Sequence, residues 1–475
     1  MPVNTLKLLS GPVAFLFCLV IGDIADPQVR MIGVLLWMLL WWITSALPVG
    51  VTALLPIVLF PMLDILNLKD TTANYANPVI YLFLGGFILG LAIEKWNLHK
   101  RIALNIMKIS GEKPSRIVLG SMLATALLSM WISNTATAVM MLPIGMSVVK
   151  LLNKQFEDHS GGQNFALTIM LGIAYAANIG GIATLIGTPP NLVLASIVSE
   201  SDMPALSFAQ WLFFALPLSA ILFIFTYWIN SHLIFPIRIK RLKGIRELIT
   251  TELLTMGGIQ RGEKRVLIVM LGAALLWIFR AQLSLVPGLE NLSDPVIAIF
   301  ASIALFAWPS GSEKGEPLLV WKDTKKLPWG ILLLFGGGIS LAKGLEVTNI
   351  VDLVGEWISN SPIQSALFSI LLVCAFSVFL TEVMSNVALV SVFIPVSFVI
   401  ARNLGLSEMQ LALPLTVGAS CAFMFPISTP PNAIVFSSGY IRMNQMARSG
   451  ILLNLICVVI ISLYCYFFQD FFFTA

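Results

Sequence analysis

Apolar residues in this chain do not alternate with polar ones. They come in runs of 15 to 25 residues, separated by short polar punctuation. Runs of that length suit helices crossing a hydrocarbon layer about 30 Å thick, and the two-residue alternation of a membrane barrel is missing. The pattern predicts helices over 8–22, 30–46, 48–63, 78–94, 165–199, 207–235, 266–284, 294–309, 328–345, 408–440 and 450–469, eleven crossings in all. Two of these are interrupted inside the membrane: 165–199 at Gly187-Thr188-Pro189-Pro190, and 408–440 at Ser428-Thr429-Pro430-Pro431.

Two further runs, 114–152 and 364–402, do not fit as crossings. Lys113 and Arg116 flank the first at one end and Lys150 and Lys154 at the other, so both ends read as cytoplasmic. One straight helix over that stretch would be roughly 60 Å long at the usual rise per residue, about twice the hydrocarbon thickness. A hairpin that enters and returns resolves both problems, with Ser133-Asn134-Thr135 at its tip. Irregular backbone at that depth is tolerated only where protein or a cavity surrounds it.

The polar phrase at the tip is written twice. Ser385-Asn386-Val387 follows Ser133-Asn134-Thr135 by 252 residues, and the same spacing relates Gly85-Gly86 to Gly337-Gly338 and Pro143 to Pro395. Each copy is followed by Thr-Pro-Pro-Asn, Thr188 to Asn191 and Thr429 to Asn432, the second after a connection shorter by 11 residues. The charges around the two copies differ. Segment 95–116 carries six Lys and Arg; its counterpart 347–368 carries none, but has Asp352 and Glu356. Segment 238–265 carries eight basic residues. Lys314, Lys322, Lys325 and Lys326 mark another inner loop, and Arg442 and Arg448 a further one, while 196–206, with Glu200 and Asp202, reads as outer. The two hairpins are therefore expected to enter from opposite faces, the mark of an inverted repeat with a transport site between its halves. The N-terminus is expected inside and the C-terminus outside.

Composition narrows the class. The 475 residues are 58% hydrophobic and 11% charged, and the mean hydropathy is +0.91. A soluble protein of this length could not cover so much apolar surface. The net charge of +4 has no block resembling a nucleic-acid patch. Cys18, Cys374, Cys421, Cys457 and Cys465 all lie inside apolar runs, which argues against a disulfide framework, and His99, His159 and His232 have no metal-ligand spacing. The first apolar run shows no convincing cleavage site and reads as a retained helix.

A helix broken at mid-membrane leaves free N–H groups at one end and free carbonyls at the other. The N–H ends can hold an anion, and the carbonyl ends suit a small hard cation. Serine and threonine hydroxyls and asparagine amides complete either shell. Each feature alone has a plainer meaning: Ser-Asn-Thr as a helix cap, Pro-Pro as a kink, the glycines as helix-packing positions. Four such features at matched positions in two halves point to a site. Glu382, four residues before Asn386, is the main carboxylate at membrane depth. It either binds a proton or cation or serves the broken backbone and orients the hairpin. Without Lys or Arg near either tip, bound cations would have to neutralise an anionic substrate, which couples the two.

At these residues the chain resembles the divalent anion/sodium symporter family, and in particular its bacterial dicarboxylate transporters of the INDY type. The likeness is carried by Leu128 to Ala138, by Gly180 to Asn191 and by Ser420 to Val435, and it runs over nearly the whole chain. It implies an all-α polytopic membrane protein: an inverted-repeat transporter with two re-entrant hairpins, acting as an elevator and as a homodimer in the cell inner (plasma) membrane. Residues 1–77 and 207–327, with the cytoplasmic loop 238–265, would be scaffold. Residues 78–206 and 328–449 would form the two repeats of the transport part, and 450–475 the last helix. One sodium would sit among Ser129, Ser133, Asn134 and Gly187, and a second among Thr381, Met384, Asn386 and Ser428, with Met384 and Ser428 acting through backbone. The substrate carboxylates would meet Asn134, Thr135, Ser385 and Asn386, with Ser133, Thr188, Val387, Thr429 and Pro430 around them. The second tripeptide often ends in Thr in this family; here it ends in Val387, which loses a hydroxyl facing the anion.

The expected function is Na⁺-driven import of C4-dicarboxylates such as succinate, fumarate or malate. Citrate or sulfate symport and Na⁺-independent dicarboxylate exchange are variants on the same fold. An ion channel is the alternative of another class, disfavoured because rings of charge are missing. A membrane-embedded enzyme is disfavoured because no nucleophile–base pair is found. Labelling of single cysteines near residues 100 and 355 is expected to place them on opposite sides of the membrane; finding both on one side would end the inverted-repeat argument.

Overall fold

Two proline pairs interrupt two buried runs, and the architecture is arranged around those interruptions. In the computed structural model, residues 5–155, 159–201, 203–239, 241–311, 315–350 and 365–473 are described. Every regular element among them is helical, apart from an isolated bridge between Pro309 and Pro317. Most of the outer connection 347–368, with Asp352 and Glu356, lies outside the described residues, as do Asp202, Lys240, Lys314 and the first residue of the expected 364–402 hairpin.

The two repeats share one element order, except that the counterpart of Leu98–Ile109 falls outside the described residues. The first runs Pro78–Lys95, Leu98–Ile109, the hairpin arms Pro114–Ser129 and Asn134–Gln155, then the broken helix His159–Ile182 and Pro189–Ser199. The second runs Trp329–Val347, the hairpin arms Ala366–Leu380 and Asn386–Asn403, then Glu408–Ala419 and Pro430–Phe436. Both tips fall where the duplicated phrase places them, and both breaks fall at Thr-Pro-Pro-Asn. Thr188 (φ −141°, ψ 141°) and Thr429 (φ −140°, ψ 150°) adopt nearly the same extended conformation. The cause is local. A residue before proline is pushed out of the helical region, and a proline at the first helical position needs no N–H partner.

Eight described helices are long and apolar enough to cross a membrane, and six shorter ones are apolar. The expected span 48–63 is not one straight helix. It divides into Val49–Thr52 and Leu55–Met62, because Pro56 has no N–H to return to Thr52, and the Ala53 carbonyl accepts from Tyr75 instead. A short helix, Leu68–Ala73, precedes the first repeat, and Ile245–Thr255 forms within the basic connection; neither is among the helices the apolar pattern predicts.

The repeats interlock. Pro430–Phe436 packs on Asn134–Gln155 and on His159–Ile182, while Pro189–Ser199 packs on Asn386–Asn403. Each repeat's helix after the break thus supports the other's hairpin. His159–Ile182 is the centre of this arrangement; its residues 165–182 are all buried. The duplicated glycines allow close approach at the first helix of each repeat. A Cβ on Gly85 would lie 2.7 Å from the Ala298 carbonyl oxygen, and one on Gly337 would lie 2.6 Å from that of Ala53.

A strap from the basic connection holds the base of the first hairpin. Leu242 N donates to the Glu112 carbonyl (2.9 Å) and Arg241 pairs with the Glu112 carboxylate (2.5 Å), at the foot of the first arm. Gln155, at the end of the second arm, exchanges two hydrogen bonds with the Lys243 backbone. Lys100–Glu252 (3.0 Å) and Arg101–Glu263 (2.5 Å) fix the strap to Leu98–Ile109.

Candidate functional site

The two tips build the same small oxygen cluster. In the first, the Ser129 hydroxyl lies 2.7 Å from Asn134 Oδ1 and 2.7 Å from the Ala177 carbonyl. In the second, the Thr381 hydroxyl lies 2.8 Å from Asn386 Oδ1 and 2.8 Å from the Ala419 carbonyl. With the amides turned this way, each cluster has three oxygens and a single hydroxyl hydrogen. The hydroxyl can donate to only one of its two neighbours, so each cluster has lone pairs in excess, which a small hard cation can take up. Ser129 and Thr381 are both fully buried, and both hydroxyls sit five residues before their asparagine at the end of a hairpin's first arm. Glycines press on the first cluster: a Cβ on Gly181 would lie 2.5 Å from Asn134 Oδ1, and one on Gly187 would lie 2.5 Å from the Gly181 carbonyl oxygen.

The broken backbone is held by side chains. Asn191 Nδ2 shares its two hydrogens among the carbonyls of Gly181, Ile182 and Thr184 (3.2, 3.2 and 2.8 Å). Its counterpart Asn432 donates to those of Ala422 and Phe425 (3.0 and 3.1 Å). The last residue of each Thr-Pro-Pro-Asn thus satisfies carbonyls that the break leaves free.

Beyond this the repeats diverge. In the first, Thr184 donates to the Met130 carbonyl in the hairpin turn (2.5 Å). In the second, the position matching Met130 is Glu382, and its carboxylate accepts five hydrogen bonds. Phe423 N (2.8 Å), Met424 N (2.9 Å) and Asn454 Nδ2 (2.7 Å) reach Oε1; Phe425 N (3.3 Å) and the Ser428 hydroxyl reach Oε2. Glu382 is 2% exposed. With both oxygens so occupied, it serves the backbone of the second break and ties it to the last helix.

The other residues expected at the site fall around these clusters. Ser133 and Thr135 are exposed at the first tip, and the Ser133 hydroxyl accepts from Ala136 N (3.2 Å) as a helix cap. Ser385, Asn386 and Val387 are half-buried at the second, where the Ser385 hydroxyl makes no capping bond. Thr188, Thr429, Met384 and Ser428 are buried, and Pro430 is exposed. The two halves meet on one helix. Asn134 packs on Gly181, and three residues earlier Asn178 donates to Thr429 Oγ1 (3.2 Å) and to the Ala422 carbonyl (3.3 Å). Tyr175, another turn back, donates to the Phe423 carbonyl (2.8 Å).

Asn178, Tyr175 and Asn454 were not among the expected site residues. Their signal in the sequence is only that of isolated polar side chains in apolar helices, with no duplicated partner to mark them.

Comparison with known proteins places the whole chain. The family description "Sodium:sulfate symporter transmembrane region" matches residues 6–473. A protein named sodium-dependent dicarboxylate transporter SdcS from Staphylococcus saprophyticus is 38% identical over 469 residues, covering 97% of this chain and 90% of that one. A protein of the same name from Staphylococcus aureus strain NCTC 8325 is 38% identical over 468 residues, with the same coverage. Among solved structures, the Alcanivorax borkumensis YdaH transporter matches with a TM-score of 0.57 at 14% identity, over 85% of this chain and 89% of that one. Neisseria gonorrhoeae MtrF, whose description places it in a class of antimetabolite efflux pumps, matches with a TM-score of 0.55 at 13% identity, over 84% and 83%. At those identities the two structures speak to the fold alone.

Glu382 makes the second break dependent on one side chain. Glu382→Ala would orphan five donors and is expected to cost at least about 3 kcal/mol, because a buried donor left unsatisfied costs about 1–3 kcal/mol each. Glu382→Gln, of the same shape but without the charge, should cost less. Thermal unfolding of the detergent-solubilised protein checks the order; a wild-type transition in Glu382→Ala would contradict the assignment.

Proposed function

This chain belongs to the sodium:sulfate symporter family, and we propose that it imports C4-dicarboxylates such as succinate, fumarate or malate together with Na⁺. The observation that carries this reading is the pair of matched oxygen clusters, Ser129–Asn134–Ala177 and Thr381–Asn386–Ala419, each richer in lone pairs than in hydrogens. The names of the Staphylococcus relatives, sodium-dependent dicarboxylate transporters, support it.

On this reading Na⁺ is cargo. One ion is held by Ser129, Ser133, Asn134 and Gly187, the other by Thr381, Met384, Asn386 and Ser428. Two sodium charges balance the two charges of a dicarboxylate without any Lys or Arg. The substrate lies against the N-terminal ends of Asn134–Gln155 and Asn386–Asn403, where unpaired N–H groups and the helix dipole favour carboxylate. The unbonded Ser385 hydroxyl, Thr135, Thr188, Thr429, Val387 and Pro430 complete the surround. The asparagines are shared: Oδ1 faces the cation and Nδ2 is the donor left for the anion. An anion arriving without sodium meets uncompensated lone pairs; with sodium it meets a neutralised shell. That dependence is the requirement for symport.

Interlocked hairpins and breaks favour movement as one body. We therefore read the two repeats, 78–206 and 328–449, as an inverted pair moving as an elevator against residues 1–77 and 207–327 in a homodimer of the inner membrane. The scaffold helices expose apolar side chains, among them Leu271, Leu275, Phe300 and Ile303, of the kind that lipid or a second copy would cover.

In proteoliposomes an inward Na⁺ gradient is expected to drive succinate uptake, and citrate, 2-oxoglutarate and sulfate to compete less well. Uptake indifferent to Na⁺ would remove the symport reading. Asn134→Ala or Asn386→Ala removes a ligand to a charged species, worth about 1.5–3 kcal/mol. The apparent Na⁺ affinity should fall by roughly 10- to 150-fold, and unchanged Na⁺ dependence in both variants would sink the site assignment.

A further inference from the structure

The two oxygen clusters match, but what lies beside them does not. In the first repeat, the carbonyl that accepts from Ser129 belongs to Ala177, and the next residue is Asn178. In the second, the carbonyl that accepts from Thr381 belongs to Ala419, and the next residue is Ser420. Asn178 is 1% exposed and spends both hydrogens of its amide on the other repeat, one on Thr429 Oγ1 (3.2 Å) and one on the Ala422 carbonyl (3.3 Å). Ser420 is 2% exposed, and its hydroxyl has no partner among the described residues. The shorter side chain makes no corresponding link back.

We propose that Asn178 is a positioning residue that couples the first cation shell to the substrate side of the second break, and that the second repeat has no matching link to the first. The inference rests on the reading of the tips as cation and anion shells. The physical path is short. The Ala177 carbonyl and the Asn178 N–H belong to one rigid peptide plane. A cation in the first shell draws on the lone pairs of Ser129 Oγ and Asn134 Oδ1 and directs the Ser129 hydrogen to the Ala177 carbonyl, which fixes that plane. The Asn178 side chain leaves the same backbone segment and carries the change to Thr429, the extended residue before Pro430. Ala422, its second acceptor, also takes Asn432 Nδ2 (3.0 Å), so Asn178 reaches both ends of the second break. An amide with two hydrogens and two acceptors in different segments has little freedom to compensate.

The consequence is a coupling that can be measured. Sodium should tighten succinate binding in the wild type, and by thermodynamic reciprocity succinate should tighten sodium binding by the same factor. Asn178→Ala should cut that factor at least about fivefold, the lower end of ordinary coupling between sites, while Na⁺ affinity measured without succinate stays within about twofold of wild type. Ser420→Ala, which removes an unpartnered hydroxyl, should leave the factor unchanged. The experiment is succinate binding to the detergent-solubilised protein by calorimetry at low and at saturating Na⁺, with monodispersity and thermal unfolding as the check on folding. If Asn178→Ala does not assemble, Asn178→Ser keeps a donor but is too short for both acceptors, and it should show the same loss. Full coupling in a folded Asn178 variant overturns the proposal. So does a loss in Ser420→Ala equal to that in Asn178→Ala, since the link would then not be confined to Asn178. A wild type in which Na⁺ leaves succinate binding unchanged defeats the symport reading itself, and this inference with it.

Discussion

A peptide group in hydrocarbon with no partner costs several kcal/mol, and this chain breaks two helices where that cost applies. The rest of the structure answers that constraint. The proline pairs remove N–H donors at the breaks, Asn191 and Asn432 take up freed carbonyls, and Glu382 takes up freed N–H groups. Crossing the two repeats, so that each break's helix rests on the other's hairpin, surrounds the irregular backbone with protein. The same exposed backbone ends that are costly when bare are those that can hold ions.

Duplication explains the parts of the site that match, and divergence explains how the two halves differ in use. The first turn is held by a neutral contact, Thr184 to the Met130 carbonyl, and Ser133 and Thr135 at its tip are exposed. The second is held by a buried carboxylate with five donors, one of them from the last helix. A charge satisfied in this way is difficult to move without leaving donors unpaired. The second break is thus tied to the last helix through this carboxylate, while the first hairpin is tied at its base, where the strap joins Glu112 at one foot and Gln155 at the other.

Much of this was legible along the chain, because the signals are local. A run of apolar residues, a pre-proline threonine or a hydroxyl five residues before an asparagine means the same thing in any fold. Repetition at a fixed spacing made the tips, the breaks and the close-packed glycines readable together. The division of the span over 48–63 is not visible in the apolar pattern, because an apolar run reads as continuous until the N–H that Pro56 lacks is counted.

The sequence by itself determined the class, the two hairpins, the positions of both breaks and the polar residues that stand at them, since period, proline chemistry and duplication act over a few residues each. Only the tertiary structure decided which partners those residues take. It gave Glu382 to the backbone of residues 423–425, set Asn178 against Thr429 from 251 residues away, and laid each break's helix on the opposite hairpin. Such pairings depend on which donor and which acceptor are left over once the helices have packed, and that remainder belongs to the folded whole rather than to any segment.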